Sequence, residues 1–477
     1  MKKALVLLFL FANITVHAQG LISESLNQSH PHEHHDKAIN SPLCGSHLLM
    51  KHQDQKSPGF IDASNAALKK VINQIEHQAK SSKATLSVPV VFHVVYNNAD
   101  ENLPDSVIFN QLQALNDNFS RQNADTASLR SVFEPYVGNP QIEFVLASQS
   151  PDGSPTNGIT RTYTNVEHFG GILPYAGNQT AQIQQWVNDS LFYNLFRITE
   201  DSLGGISAWD TERYLNIWIG DLRIFEPMIN NFEELVFLGL APPPPSHPSF
   251  TGLGFDTLAL QQGVLMHYVA IGPNNPISYP APYTALNNTV SKGDLLSHEV
   301  GHYLGLRHIW GDGACLADDF IFDTPLSDNS NQFTGNKNRN SCVDSIDGQD
   351  LPDMVENFMD YSSDDCLNSF TADQASVMRA TLFTYRPNAF TIGAEEIPLT
   401  TSLKLYPNPS EGIVYLNPSG PSQEYTIKVY QVSGKLMSSH YFAKGESLSL
   451  SLPETKGLYL IKVYSQDDWA TFKVLRD

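Results

Sequence analysis

Basic residues are scarce in this chain. Its 477 residues carry 29 Lys and Arg against 50 Asp and Glu, a formal net charge of −21. Such a surface repels polyanions, so nucleic acid is excluded as a partner. Long apolar runs are also missing. The amino-terminal run, residues 4–14, is too short to cross a bilayer, and no later run is long enough; no transmembrane segment is expected. No EF-hand spacing occurs. Cysteine is rare, with four in all: Cys44, Cys315, Cys342 and Cys366.

What is present begins with an export signal. Lys2 and Lys3 precede the apolar run, and Val16-His17-Ala18 forms a cleavage box, so residues 1–18 read as a secretory signal peptide. The mature protein is then exported, soluble or surface-bound, and disulfides are permitted. The length suggests about three domains, and 41% hydrophobic residues suffice for packed cores. The acidity is uneven. Residues 311–365 hold two basic residues against thirteen acidic ones, whereas residues 401–477 hold eight against seven.

Residues 19–83 are polar and read as a pro-segment with one helix over 63–80. The run His30-Pro31-His32-Glu33-His34-His35 within it reads as a solvated disordered tract, with weak metal binding as the alternative. The β-branched stretch 84–96 reads as a buried strand, 106–118 as an amphipathic helix, and 141–148 and 214–220 as strands. Residues 224–278 are rich in Pro and Gly and read as cleft rim or surface loop. Helices are expected over 294–304 and 373–383. After Pro387 the texture changes to short alternating strands at 425–432, 447–452, 457–464 and 470–475, separated by turns, which argues an all-β sandwich.

The chemistry concentrates at residues 298–308, HEVGHYLGLRH, a zinc-protease signature HExxHxxGxxH. Residues four apart share a helical face, so His298 and His302 can grip one ion. Glu299 lies beside them, placed to act as general base. Gly305 can leave the helix in a left-handed conformation and turn the chain so that His308 supplies a third ligand. Three protein ligands leave one position open, the mark of a catalytic rather than a structural zinc.

Downstream lies NFMDYSSDDC at residues 357–366, and between the two an Asp-Thr-Pro run at 323–325. Together with HEVGHYLGLRH, these segments resemble the pappalysin (cytophagalysin-type) metzincin metalloproteases. That resemblance implies an α+β fold: a metzincin-type catalytic domain over residues 84–392, with a mixed twisted sheet, an active-site helix and a closing helix. It places Met359 in a turn beneath the zinc site and offers Tyr361 as oxyanion donor, against the alternative of a packed aromatic. It implies calcium at Asp318, Asp319, Asp323 and Thr324, against a solvated acidic loop. Among the cysteines it implies a Cys315–Cys342 disulfide. The family's partner for Cys366 is missing between Thr324 and Cys342, so Cys366 is free or bridges to Cys44. Cys44 itself, in Pro42-Leu43-Cys44-Gly45, resembles the cysteine switch of zinc-protease zymogens, so two readings compete for one sulfur. The family also places an acid immediately before the last cysteine, here Asp365, at the base of the pocket for the residue after the scissile bond. A partly buried carboxylate there would favour Arg or Lys.

The carboxy terminus opens on LKLYPNPSEG at 403–412 and closes with the VSGK turn and GLYLIKV. It resembles a type A sorting domain of the type IX secretion system, over residues 400–477. That implies export through an outer membrane by that machinery. The expectation is a secreted zinc endopeptidase made as a zymogen and acting on proteins or peptides, with Lys83 at or near the mature amino terminus. The alternative is a catalytically idle adhesin or binding module on the same fold, and the intact Glu299 argues against it.

Overall fold

A computed structural model of the protein describes residues 44–78, 84–172, 186–226, 232–234, 237–244, 262–281, 283–332, 335–392, 403–418, 424–431, 435–444, 446, 448–465 and 468–477. The signal peptide, the histidine tract and the Ser82-Lys83 junction lie outside the described residues. The chain divides into two compact units, with the main break between Thr391 and Ile392.

The first unit opens with two helices, α1 (Ser46–Lys56) and α2 (Phe60–Gln78). The sequence pattern shows only the second. Pro58 disfavours helical geometry at Ser57, whose φ is −134° and ψ 83°, and Gly59 follows at φ +92°, which separates them. Helix α1 has little amphipathic pattern and is held by docking. Its Leu49, and Phe60 after it, are fully buried, each worth about 1.5–3 kcal/mol.

The sheet is built on β1 (Leu86–Tyr96). Along one edge β1 pairs in parallel with β2 (Ile142–Leu146) and then β3 (Ile159–Tyr163), and along the other with β4 (Leu215–Gly220). The sheet ends in β5 (Gly239–Leu240), antiparallel to β6 (Val264–His267), which itself lies parallel to β4. Both faces of β1 are covered, which is why its sequence is nearly continuous in apolar residues. Val88, Val90 and Phe92 join one core with Val107, Leu115 and Phe119 of α3 (Asp105–Ser120). The same core takes Leu296 and Val300 of α4 (Asp294–Tyr303) and Val377 and Met378 of α5 (Ala372–Tyr385). Val95 joins a second core with Trp218, Phe192, Phe196 and Leu49. Helix α5 starts on a capping box between Thr371 and Gln374.

The second unit is a two-sheet antiparallel sandwich. One sheet orders β7 (Leu403–Tyr406), β8 (Ile413–Pro418) and β11 (Leu448–Ser451). The other orders β10 (Leu436–Phe442), β9 (Tyr425–Gln431), β12 (Gly457–Ser465) and β13 (Asp468–Arg476). Alternate residues Leu403, Val414, Ile427, Val429, Ile461 and Val463 fill its core.

Candidate active site

Helix α4 is buried along its whole length. It brings His298, Glu299 and His302 to one place and ends where Leu304 and Leu306 donate back to Val300 and Gly301. Gly305 follows at φ +97°, and a Cβ there would stand 2.9 Å from Thr381 Oγ1, so the turn that delivers His308 demands glycine. The Nε2 of His302 lies 3.1 Å from the Nε2 of both His298 and His308. Each Nδ1 faces an acceptor instead: Phe358 O at 2.7 Å for His298, Leu306 O at 2.9 Å for His302, and a carboxylate oxygen of Asp312 for His308. That places the imidazole protons on Nδ1 and turns three Nε2 lone pairs toward one point. Burial first, and then charge on His308, push His298 down to about 3 and His302 well below the ordinary histidine range. Three imidazole Nε2 atoms converging in this way fit a zinc ion. Among the described residues this is the one group of three or more His, Cys, Asp or Glu ligand atoms close enough to share a metal, and Cys44 is its fourth member.

Met359 lies beneath the helix. A Cβ on Gly301 would come within 2.5 Å of its Sδ, so the glycine of HEVGH makes room for the methionine. Asn357 fixes that turn, accepting from the Met359 N–H at 2.9 Å and donating to Gln374 Oε1 at 2.9 Å.

The segment that begins at Cys44 enters the site beside the edge strand. The Gly45 N–H donates to Gly239 O at 2.9 Å, and Cys44 bridges the same residue in parallel. The Cys44 thiol donates to Glu299 Oε2 at 3.4 Å. The Ser46 hydroxyl donates to that same oxygen at 3.2 Å and accepts from the Ala241 N–H at 2.9 Å. His47 Nδ1 reaches Asp312 Oδ2 at 3.1 Å. The Tyr361 hydroxyl donates to Cys44 O at 3.3 Å, and its ring packs beside those of His298, His308 and Trp310. Burial raises the Glu299 carboxyl to about 8, with the Cys44 and Ser46 hydrogen bonds acting against it. Burial and the Glu299 charge also raise Cys44. A cation among the histidines would lower both.

Cys315 and Cys342 are bonded, while Cys44 and Cys366 are both free, so the Cys44–Cys366 bridge is absent. A Cβ on Gly335 would fall 2.0 Å from Cys366 Sγ; a glycine thus stands where the missing partner was sought.

The burial expected of Asp365 is corrected. Its side chain is 72% exposed and pairs with Lys292 Nζ at 2.8 Å. Its neighbour Asp364 is the buried one, accepting from the Ser291 and Lys292 N–H groups at 2.7 and 2.6 Å. The motif order cannot show which of two adjacent aspartates points inward. The acidic stretch is only partly assembled. Asp319 accepts the Thr324 hydroxyl at 2.8 Å and the Ile321 N–H at 3.0 Å, and Asp318 accepts the Phe320 N–H at 2.8 Å. Asp323 Oδ2 accepts the Asp373 N–H at 2.9 Å, and its Oδ1 is buried with no hydrogen-bond partner among the described residues. The sequence reading missed Ser46, His47, Gly239 and Asp312. Only Asp312 left a signal, a carboxylate four residues after a ligand histidine.

A mixed sheet with an antiparallel edge strand, a long helix bearing HExxH, a third histidine after a glycine turn and a methionine turn below them define a metzincin. The family profile described as pregnancy-associated plasma protein-A matches residues 272–383, and a secretion system C-terminal sorting domain matches residues 404–475. A solved mutant of Tannerella forsythia promirolysin is 33% identical with a TM-score of 0.53, over 72% of this chain and 96% of that one. The chain belongs to the pappalysin, or pregnancy-associated plasma protein-A, family of metzincins. Extracellular metalloproteases of Aspergillus oryzae and Arthroderma otae are 40% identical over 101 residues and 41% over 87. These matches cover 20% and 18% of this chain, and the chain spans 30% of the length of either relative.

Proposed function

We propose that this chain is an exported zinc-dependent endopeptidase, made as a zymogen whose pro-segment fills its own catalytic centre. The observation that carries the proposal is the convergence of three Nε2 lone pairs beside Glu299, with Cys44 on the remaining side. Zinc held by His298, His302 and His308 would polarise a peptide carbonyl as a Lewis acid and lower the pKa of water there. Once Cys44 and Ser46 withdraw, Glu299 Oε2 is free to take a proton from the attacking water and pass it to the leaving amine. The Tyr361 hydroxyl, released from Cys44 O, is free to donate to the oxyanion. Cys44 acts as the switch, a role supported by its free, buried thiol among the three histidines.

Three finer assignments rest on less. A preference for Arg or Lys after the scissile bond would rest on Asp365, an exposed carboxylate that already pairs with a basic side chain, Lys292 Nζ, at 2.8 Å. Calcium at the 318–324 stretch is supported by the unpartnered Asp323 Oδ1. Export by the type IX machinery is supported by the sorting domain at residues 404–475. The deciding experiment compares processed wild type with Glu299→Ala on a denatured protein substrate. We expect equal zinc content and near-complete loss of hydrolysis; equal hydrolysis by both would sink the assignment.

A further inference from the structure

We propose that Gly239, on edge strand β5, is a positioning residue for Glu299, and that its lack of a side chain fixes where the general base stands. The inference rests on the peptidase reading above. Glycine at 239 is not required by the backbone, because its φ lies outside the left-handed region. Strand pairing does not require it either: Gly239 sits in ordinary antiparallel register with Met266, where a side chain is normally tolerated. What excludes one is Glu299. A Cβ on Gly239 would stand 2.6 Å from Glu299 Cγ, 2.6 Å from Oε1 and 2.9 Å from Cδ, and these are its three nearest atoms.

The clash falls on the middle of the side chain as well as its tip, so rotating the carboxylate cannot relieve it. Glu299 is itself fully buried on a helix with no exposed residue, which leaves its stem nowhere to retreat. Oε1 is buried with no hydrogen-bond partner among the described residues, while Oε2 takes both pro-segment hydrogen bonds. Contact with the Cα of Gly239 therefore places the carboxylate from the Oε1 side, leaving Oε2 to face incoming groups. The same residue's carbonyl receives the Gly45 N–H, so one position of the edge strand both seats the pro-segment and backs the base.

The test is Gly239→Ala, made alone and in the Glu299→Ala background, with melting temperature, zinc content and kinetics on a fluorogenic peptide as readouts. In processed enzyme with Glu299 present, kcat should fall about tenfold to a hundredfold, with zinc content kept and KM changed by less than about threefold. In the Glu299→Ala background the three nearest atoms to the added methyl are gone, so Gly239→Ala should leave the melting temperature where Glu299→Ala alone sets it, while lowering it when Glu299 is present. An equal destabilisation in both backgrounds would mean that the strand, not the base, needs the glycine, and would overturn the proposal. So would an unchanged kcat. The thermal arm needs no activity, so a failure of the peptidase reading (wild type and Glu299→Ala equally inert) is distinguishable from a failure of this one.

Discussion

On the proposed zymogen reading, Ser46→Ala isolates the part of latency that does not depend on the cysteine. In the closed precursor the Ser46 hydroxyl donates to Glu299 Oε2 at 3.2 Å and accepts from the Ala241 N–H at 2.9 Å, and Ser46 is buried. Removing the oxygen strands a buried backbone donor and deprives a buried carboxylate of one of its two partners. Each unsatisfied group costs about 1–3 kcal/mol. When the pro-segment lifts, water reaches both groups, so the cost falls on the closed state alone. A combined cost of about 2–6 kcal/mol shifts the closed–open balance roughly 30-fold to about twenty-thousandfold. The assay is the initial rate of uncleaved precursor on a fluorogenic peptide, with a gel confirming that no chain has been cut. Ser46→Ala should leak activity with Cys44 intact, and Ser46→Thr, which keeps the hydroxyl, should remain latent. A Ser46→Ala precursor as silent as wild type, beside a leaking Cys44→Ala precursor, would refute the reasoning.

Three further outcomes follow from the same geometry. His93 is buried between Thr160 Oγ1 and Asn216 Oδ1 at 2.8 and 3.0 Å, and burial holds it down to about 4. Unfolding therefore takes up a proton between about pH 6.5 and 4, so this stability is complete above that window and is lost as pH falls through it. The loss is up to about 3 kcal/mol, and His93→Gln should flatten the acid limb of urea midpoints measured from pH 7 to 4.5. Calcium should raise the melting temperature of zinc-replete enzyme and Asp319→Ala should abolish the gain; a melting temperature indifferent to calcium removes that ion from the 318–324 stretch. Asp365→Ala should keep zinc and lose any basic preference after the cut, and a wild-type peptide-library profile favouring apolar residues there would count against Asp365 altogether.

The convergence at the candidate centre was legible because its residues are local. His298, Glu299, His302, Gly305 and His308 occupy eleven consecutive residues, and helical periodicity plus one glycine turn places them without tertiary knowledge. Strand β1 was legible from its nearly continuous apolar content, and the sandwich from its alternation. Helix α1 was not, because its stability comes from Leu48, Leu49 and Met50 docking on a distant core rather than from an amphipathic pattern. The exposure of Asp365 was not legible either: between two adjacent aspartates, only the backbone of residues 291–292 decides which carboxylate turns inward. Nor was Gly239, since nothing local marks a glycine whose reason is a side chain sixty residues downstream.

The four consecutive residues Cys44-Gly45-Ser46-His47 address four different parts of the centre. The thiol lies among the three histidines, the Gly45 N–H donates to the edge-strand carbonyl, the Ser46 hydroxyl donates to Glu299, and His47 pairs with Asp312, whose other oxygen faces His308. The sulfur is therefore one of several latches. A segment held only by sulfur would open fully on oxidation or alkylation of the thiol. One held also through Gly239, Glu299 and Asp312 should keep part of its hold when the sulfur lets go, so that loss of any single contact is expected to leak activity without full opening. That distribution explains why the tetrapeptide runs straight into a buried helix rather than a loop: α1 begins at Ser46 itself, so the contacts at the base and at Asp312 are anchored by the apolar docking of Leu48 and Leu49 on the sheet's second core.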